Sequence, residues 1–210
     1  MPQQKPDTDE LLRRVDAGDT LAAGQLLQRH RDRLRQMVVV RIDPRLAARV
    51  DPSDVVQEAL AEASRKLPDY LRERPLPFYP WLRQIAWQRL VHLHTHHVKT
   101  QKRTVVREDR GCLPLPDQSA MQLVDRLVGS GTSPSKRMVR EEIRQRVSGA
   151  LDQLAPQDRE TVILRHLEQL AFKEIAAVLG ISDAATQSRY RRPVQRLHDL
   201  LGDESRGGLE

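Results

Sequence analysis

KEIAAVLGISDAATQSRYRR, running from Lys173 to Arg192, joins a short apolar helix to an arginine-rich one across a glycine-centred turn. Ile175, Ala176 and Leu179 give the first helix a buried face at three- and four-residue steps. Gly180 is the residue type that takes a positive φ without steric cost. Ile181 plugs the angle between the helices, and Ser182 is placed to cap the second, with Asp183 at its positively polarised first turn. This is the organisation of a helix-turn-helix, whose second helix offers its N-terminal half to the DNA major groove.

On that second helix Thr186, Tyr190, Pro193 and Leu197 fall on the side facing the domain. Ala184, Gln187, Ser188, Arg191 and Arg192 fall on the other. Gln and Ser can hydrogen-bond base edges, and Arg suits a guanine edge or a phosphate. A solvated arginine face on a helical hairpin would explain the charges but not their coincidence with turn and cap. Pro193 removes a helical hydrogen bond at a cost of about 3 kcal/mol, which predicts a kink or an early end there.

Ahead of this motif, Ser133 and Pro134 start a helix toward Leu154, with Val147, Ala150 and Leu151 on its apolar face. Pro156 opens the next, carrying Val162, Ile163, Leu164 and Leu167. Thr104 to Ser133 contains GCLPLPDQS and GSGTSPS without a sustained period, and reads as a linker with one short helical turn at Met121–Val128. Upstream, Asp7 and Glu10 have capping-box spacing before a first helix that Gly18 stops. Thr20 caps a longer helix to about Arg41. Two Asp-Pro pairs interrupt the chain, the second starting a helix with Asp51 as N-cap and Pro52 at its first position, ending by Pro68. RERPLPFYP leads into a further helix, Phe78 to Val98, with Phe78, Trp81, Leu82, Ile85 and Leu93 on one side. No candidate strand appears. The expected architecture is all-α: two small helical domains, residues 1–103 and 134–210, joined by a flexible linker, 104–133.

The 210 residues are long enough for two such domains, and no apolar run approaches the roughly 20 residues needed to span a bilayer. No membrane insertion is expected. MPQQKPDTDE lacks the order of a secretory signal and Cys112 is the lone cysteine, both of which suit a cytoplasmic protein. A net charge of +6 favours a polyanionic partner, and the cations cluster in two places. Seven Lys or Arg lie between Leu82 and Arg110, and four arginines between Asp183 and His198. Five of the seven aromatic residues (Tyr70, Phe78, Tyr79, Trp81 and Trp87) lie beside the first cluster, as a cationic groove with stacking faces for single-stranded bases would require. Phe78 and Trp81 are more simply core. Trp87 lies opposite that stripe and needs a packing partner or a base. Asp54 shares a helix edge with Gln57 and Glu58, three and four residues on, a polar edge suited to docking another protein.

These segments resemble the bacterial sigma-70 family, specifically its two-domain extracytoplasmic-function type. DPSDVVQEAL resembles the polymerase-binding helix, FYPWLRQIAWQRLVHLHTHH the promoter-melting helix, and LDQLAPQDRETVILRHLEQLAFKEIAAVLGIS the second domain. The resemblance covers about residues 8–103 and 134–201. It implies a factor that binds core RNA polymerase through Asp54, Gln57 and Glu58 and directs it to promoters. Trp81, Arg83, Trp87, Gln88 and His92 would meet the melted downstream element, while the helix-turn-helix reads the upstream duplex. An anti-sigma protein is a further candidate partner. Such factors have no catalytic centre and no cofactor. Gln88 and His92 stand where related factors commonly carry Asn and Asp, and Ala185, Thr186 and Gln187 stand where Thr-Val-Lys is common; these changes bear on which promoter is read.

His92 and His96, four apart on one face, have a spacing that can bind zinc. No Cys or carboxylate lies close in sequence to complete a site, and the Glu of HExxH is missing, so no metal is expected. A histidine cluster near phosphates would instead make binding pH-sensitive. The chief alternative function is a helix-turn-helix regulator acting without polymerase. It has no need of the Asp54 edge, the aromatic cluster or the long linker. A sigma-derived interaction protein that no longer opens promoters is a third.

Overall fold

Across residues 7–99, 115–128 and 137–202, which the computed structural model describes, every regular element is an α-helix. They fall into two units, Met1–Pro114 and Leu115–Glu210. The expected starts of a helix at Ser133 and Pro134 lie outside the described residues, as do Cys112 and the side chains of His97 and Leu197.

In the first unit, α1 (Thr8–Asp16) is capped by Asp7, whose carboxylate accepts the Glu10 N–H at 2.7 Å. The Glu10 carboxylate pairs with Arg13 at 2.7 Å. The single helix expected from Thr20 to Arg41 is two, α2 (Thr20–Arg29) and α3 (Arg31–Arg41). The break is at His30, whose buried ring lies 3.1 Å from the Thr8 hydroxyl on α1 and packs beside Phe78 and Tyr79. These tertiary partners outweigh the local helical pattern. The cap of α2 is Asp19 rather than Thr20, its carboxylate taking the N–H groups of Leu21 and Ala22.

Asp43 and Pro44 start a short helix, α4 (Pro44–Ala47), within what the sequence marks only as a break. Asp51 caps α5 (Pro52–Glu73), as expected, but α5 runs through Pro68. Pro68 and Ser64 are exposed, so water can take the carbonyl that the missing N–H leaves free, while Leu67 and Tyr70 are buried on the other face. The helix ends where Arg74 turns left-handed, at φ 38°, and the Tyr70 hydroxyl donates to the Leu76 carbonyl at 3.0 Å. Next, α6 (Phe78–Lys99) is enclosed on more than one side through its first half, with Tyr79, Arg83 and Ala86 buried as well as Phe78, Trp81, Leu82 and Ile85.

The second unit begins earlier than expected. Instead of one turn inside a linker, Asp117–Val128 forms a helix, α7, that packs on α8 (Arg137–Asp152) and α9 (Pro156–His166). Its Leu123 and Val124 are fully buried; each such side chain removed from water contributes roughly 1.5–3 kcal/mol. Docking of these two residues assigns α7 to this unit. Val147, Ala150 and Leu151 of α8 and Val162, Ile163 and Leu164 of α9 complete the apolar interior with Leu167. A left-handed Gln169 (φ 57°) turns the chain into α10 (Phe172–Leu179) and then α11 (Asp183–Gly202). Of the kink or early end expected at Pro193, the early end does not occur, since α11 runs through the proline. Pro193 is buried, α11 packs on α8, α9 and α10, and beyond the proline Arg196 donates to Gln153 at 3.0 Å.

Candidate functional site

The hinge between α10 and α11 is built as the sequence predicts. Gly180 is left-handed (φ 64°, ψ 37°), its N–H reaching the Ala176 carbonyl. Ile181 N–H donates to the same carbonyl at 3.1 Å. The Ser182 hydroxyl accepts the Ala185 N–H at 3.2 Å, and Thr186, fully buried, donates its hydroxyl to the Ser182 carbonyl at 3.0 Å. These bonds fix the first turn of α11 against α10. On its inner side Tyr190 lies 3.1 Å from His166 Nε2 and meets Phe172 edge-on. Burial above all, then the charges of Arg165 and Arg126, hold the His166 pKa below its ordinary value. The outer side is exposed: Ala184, Gln187, Ser188, Arg191 and Arg192 line one open groove, extended by Gln195 and Arg196. Donors and cations on a rigid helix edge can reach base edges and phosphates together.

In the first unit the five residues expected to meet melted DNA separate by exposure. Trp81 and Arg83 are buried, at 9% and 5% exposure. Trp81 is held in ring contact with Tyr70 and Phe78. Gln88 and His92 are exposed, and Trp87 lies between the extremes. Trp87 does have a packing partner. It rests on a small cluster of Ile42, Leu46 and Leu90, with Val50, Val91 and Leu93 around it, so the Trp87 position is not simply opposite the core. The guanidinium carbons of Arg41 and Arg83 stand 5.4 and 5.3 Å from its ring centroid, a cation–π arrangement that holds the indole. His92 and His96 have ring centroids 5.1 Å apart, yet among the described residues no group of three or more His, Cys, Asp or Glu is arranged to hold a metal.

Asp54, Gln57 and Glu58 are all exposed on the first two turns of α5. The Glu58 carboxylate is paired with Arg89 of α6, an ion pair tying the polar edge of α5 to the helix that bears Trp87. Both partners are substantially exposed, so the pair contributes little stability and is available for exchange with another surface.

Residues 144–197 match the family described as Sigma-70, region 4. A relative extends the likeness to the first unit: the ECF RNA polymerase sigma-E factor of Escherichia coli strain K12 is 30% identical over 190 residues, 88% of this chain and 90% of that protein. The chain belongs to the extracytoplasmic-function sigma factors. The sigma factor is also 28% identical to the ECF RNA polymerase sigma-E factor of Haemophilus influenzae over 196 residues, 92% of this chain and 95% of that one. Among solved structures it is similar to CnrH in complex with the cytosolic domain of CnrY, with TM-score 0.51 and 26% identity, covering 94% of this chain and 99% of that chain. No helix among the described residues of the sigma factor is long and apolar enough to cross a membrane.

Several residues of the sigma factor's surfaces are not in the sequence-derived set. Gln195 and Arg196 extend the α11 groove, and their spacing of four from Arg191 and Arg192 could have found them. Arg89, the partner of Glu58, carries no local signal, since its pairing crosses from α6 to α5. Arg41, buried at 1% exposure beside Trp87, reads in sequence as one more surface cation at a helix end.

Proposed function

We propose that this sigma factor docks on core RNA polymerase through Asp54, Gln57 and Glu58 on α5, and directs it to promoters read by two separate surfaces. The observation carrying the sigma function is the likeness to ECF sigma factors across both units, since a stand-alone regulator would need only the second. The exposed edge of α11 (Ala184, Gln187, Ser188, Arg191 and Arg192) reads the upstream duplex element. Trp87, Gln88 and His92 meet the melted downstream strand, with the buried Trp81 and Arg83 supporting them from behind. Acting in the cytoplasm, the protein recognises and positions, and catalyses no reaction of its own. CnrH was solved with a protein partner, the cytosolic domain of CnrY; a restraining protein partner of that kind belongs to the proposal. The test is co-elution of the purified chain with bacterial core polymerase. Replacing Asp54, Gln57 and Glu58 together by Ala should abolish co-elution while the circular dichroism spectrum stays unchanged. Undiminished co-elution would place the polymerase contact elsewhere.

A further inference from the structure

Helix α7 lies outside the residues 144–197 that match region 4, and in sequence it belongs to a linker. It is nonetheless connected to the recognition helix by a short chain of contacts. The Arg126 guanidinium donates to the main-chain carbonyl of His166, the last residue of α9. There the unpaired carbonyls and the negative end of the helix dipole both favour a cation. The His166 ring is stacked on Tyr190, with centroids 5.7 Å apart and planes 20° apart, and its Nε2 lies 3.1 Å from the Tyr190 hydroxyl. Tyr190 is the inward residue of α11 between Gln187 and Arg191, which face outward. On α7 itself, the buried Leu123 and Val124 hold Arg126 in reach.

We propose that Arg126 is a positioning residue for duplex recognition: by holding the C-terminal end of α9 it sets His166, and through His166 and Tyr190 the angle at which α11 meets DNA. Arg126 itself does not touch DNA. The linker helix is thereby a working part of the DNA-reading unit, and a partner that displaced α7 would loosen the grip on the duplex. This rests on the reading of α11 as the duplex-reading helix.

The test uses holoenzyme reconstituted on core polymerase and a labelled promoter duplex that the wild-type holoenzyme selects from a random pool. Arg126→Gln should weaken duplex binding about five-fold, the weight of one hydrogen bond made by a side chain that is itself exposed to water, and Arg126→Lys should recover most of the loss. Tyr190→Phe should weaken it similarly, and the double variant should be no weaker than either single one, because both cut the same chain of contacts. The slope of log affinity against log salt should not change. A slope reduced by about one would make Arg126 a phosphate contact and overturn the proposal, as would wild-type binding by Arg126→Gln or losses that simply multiply. Failure of the wild-type holoenzyme to select any duplex would instead remove the reading of α11 on which the proposal stands.

Discussion

Gly180→Ala isolates the backbone requirement of the helix-turn-helix. A Cβ built at Gly180 meets nothing within 4 Å, so the substitution introduces no clash. Its cost is conformational: φ is 64°, and an L-residue held in the left-handed region loses about 1–2 kcal/mol. Against this, alanine restricts the unfolded chain and returns about 0.4–1 kcal/mol. The net loss is about 1 kcal/mol, borne by the second unit alone, and for a domain of this size corresponds to roughly 4–8 °C in Tm. Both tryptophans, Trp81 and Trp87, lie in the first unit. Thermal unfolding followed by tryptophan emission therefore reports the first unit, and far-ultraviolet circular dichroism reports both. Gly180→Ala should lower the dichroism transition of the second unit and leave the emission transition in place. Gly180→Asn, whose side chain tolerates the left-handed region, should lose less. An unchanged dichroism transition would show that the left-handed glycine does not set the hinge. An equal fall in emission would show that the two units unfold as one.

Three further outcomes are expected. Trp81→Phe leaves Trp87 as the only indole; adding a single-stranded oligonucleotide of the melted promoter strand should quench it, whereas Trp87→Phe, retaining the buried Trp81, should show little response, and the reverse pattern would contradict the assignment. Arg89→Ala should lower the stability of the first unit by less than about 1 kcal/mol in urea titration, because its ion pair with Glu58 is exposed on both sides; a loss several times larger would mean that Arg89 supports the core. His166 has a pKa held below its ordinary 6.5, so the unfolded chain binds more protons there than the folded unit and the neutral ring's contribution is complete above that value. It fades as pH falls through the depressed pKa, so between pH about 7.5 and about 5 the parent should lose more stability than His166→Gln by thermal unfolding; equal losses would remove His166 from the acid response.

Signals written in adjacent residues were legible. Gly180, Ser182 and Asp183 define the hinge because glycine, hydroxyl cap and first-turn carboxylate each act within a few residues, and Asp51 with Pro52 marks the start of α5 in the same way. What sequence left out depends on contacts made across the fold. The break at His30 follows from Thr8, Phe78 and Tyr79 gathering around its ring. Continuation of α5 through Pro68 follows from Leu67 and Tyr70 packing on the buried face while the proline faces water, and that of α11 through Pro193 from the packing of the helix on α8, α9 and α10, which offsets a cost that local rules treat as decisive. Of the candidate sites, the exposed edge of α11 and the Asp54, Gln57 and Glu58 edge lie where helical spacing places them. At Trp87 helical spacing shows that a packing partner or a base is needed but not which, because Ile42 and Leu46 come from α4 and the turn before it.

Transcription in vitro decides whether this chain directs core polymerase to promoters. The purified chain is mixed with bacterial core RNA polymerase and a library of promoter fragments, and the transcript start sites are mapped. Initiation at a defined set of fragments, lost when Asp54, Gln57 and Glu58 are replaced by Ala, is the predicted result. Binding of the chain to duplex DNA with no association with polymerase and no start sites would contradict it.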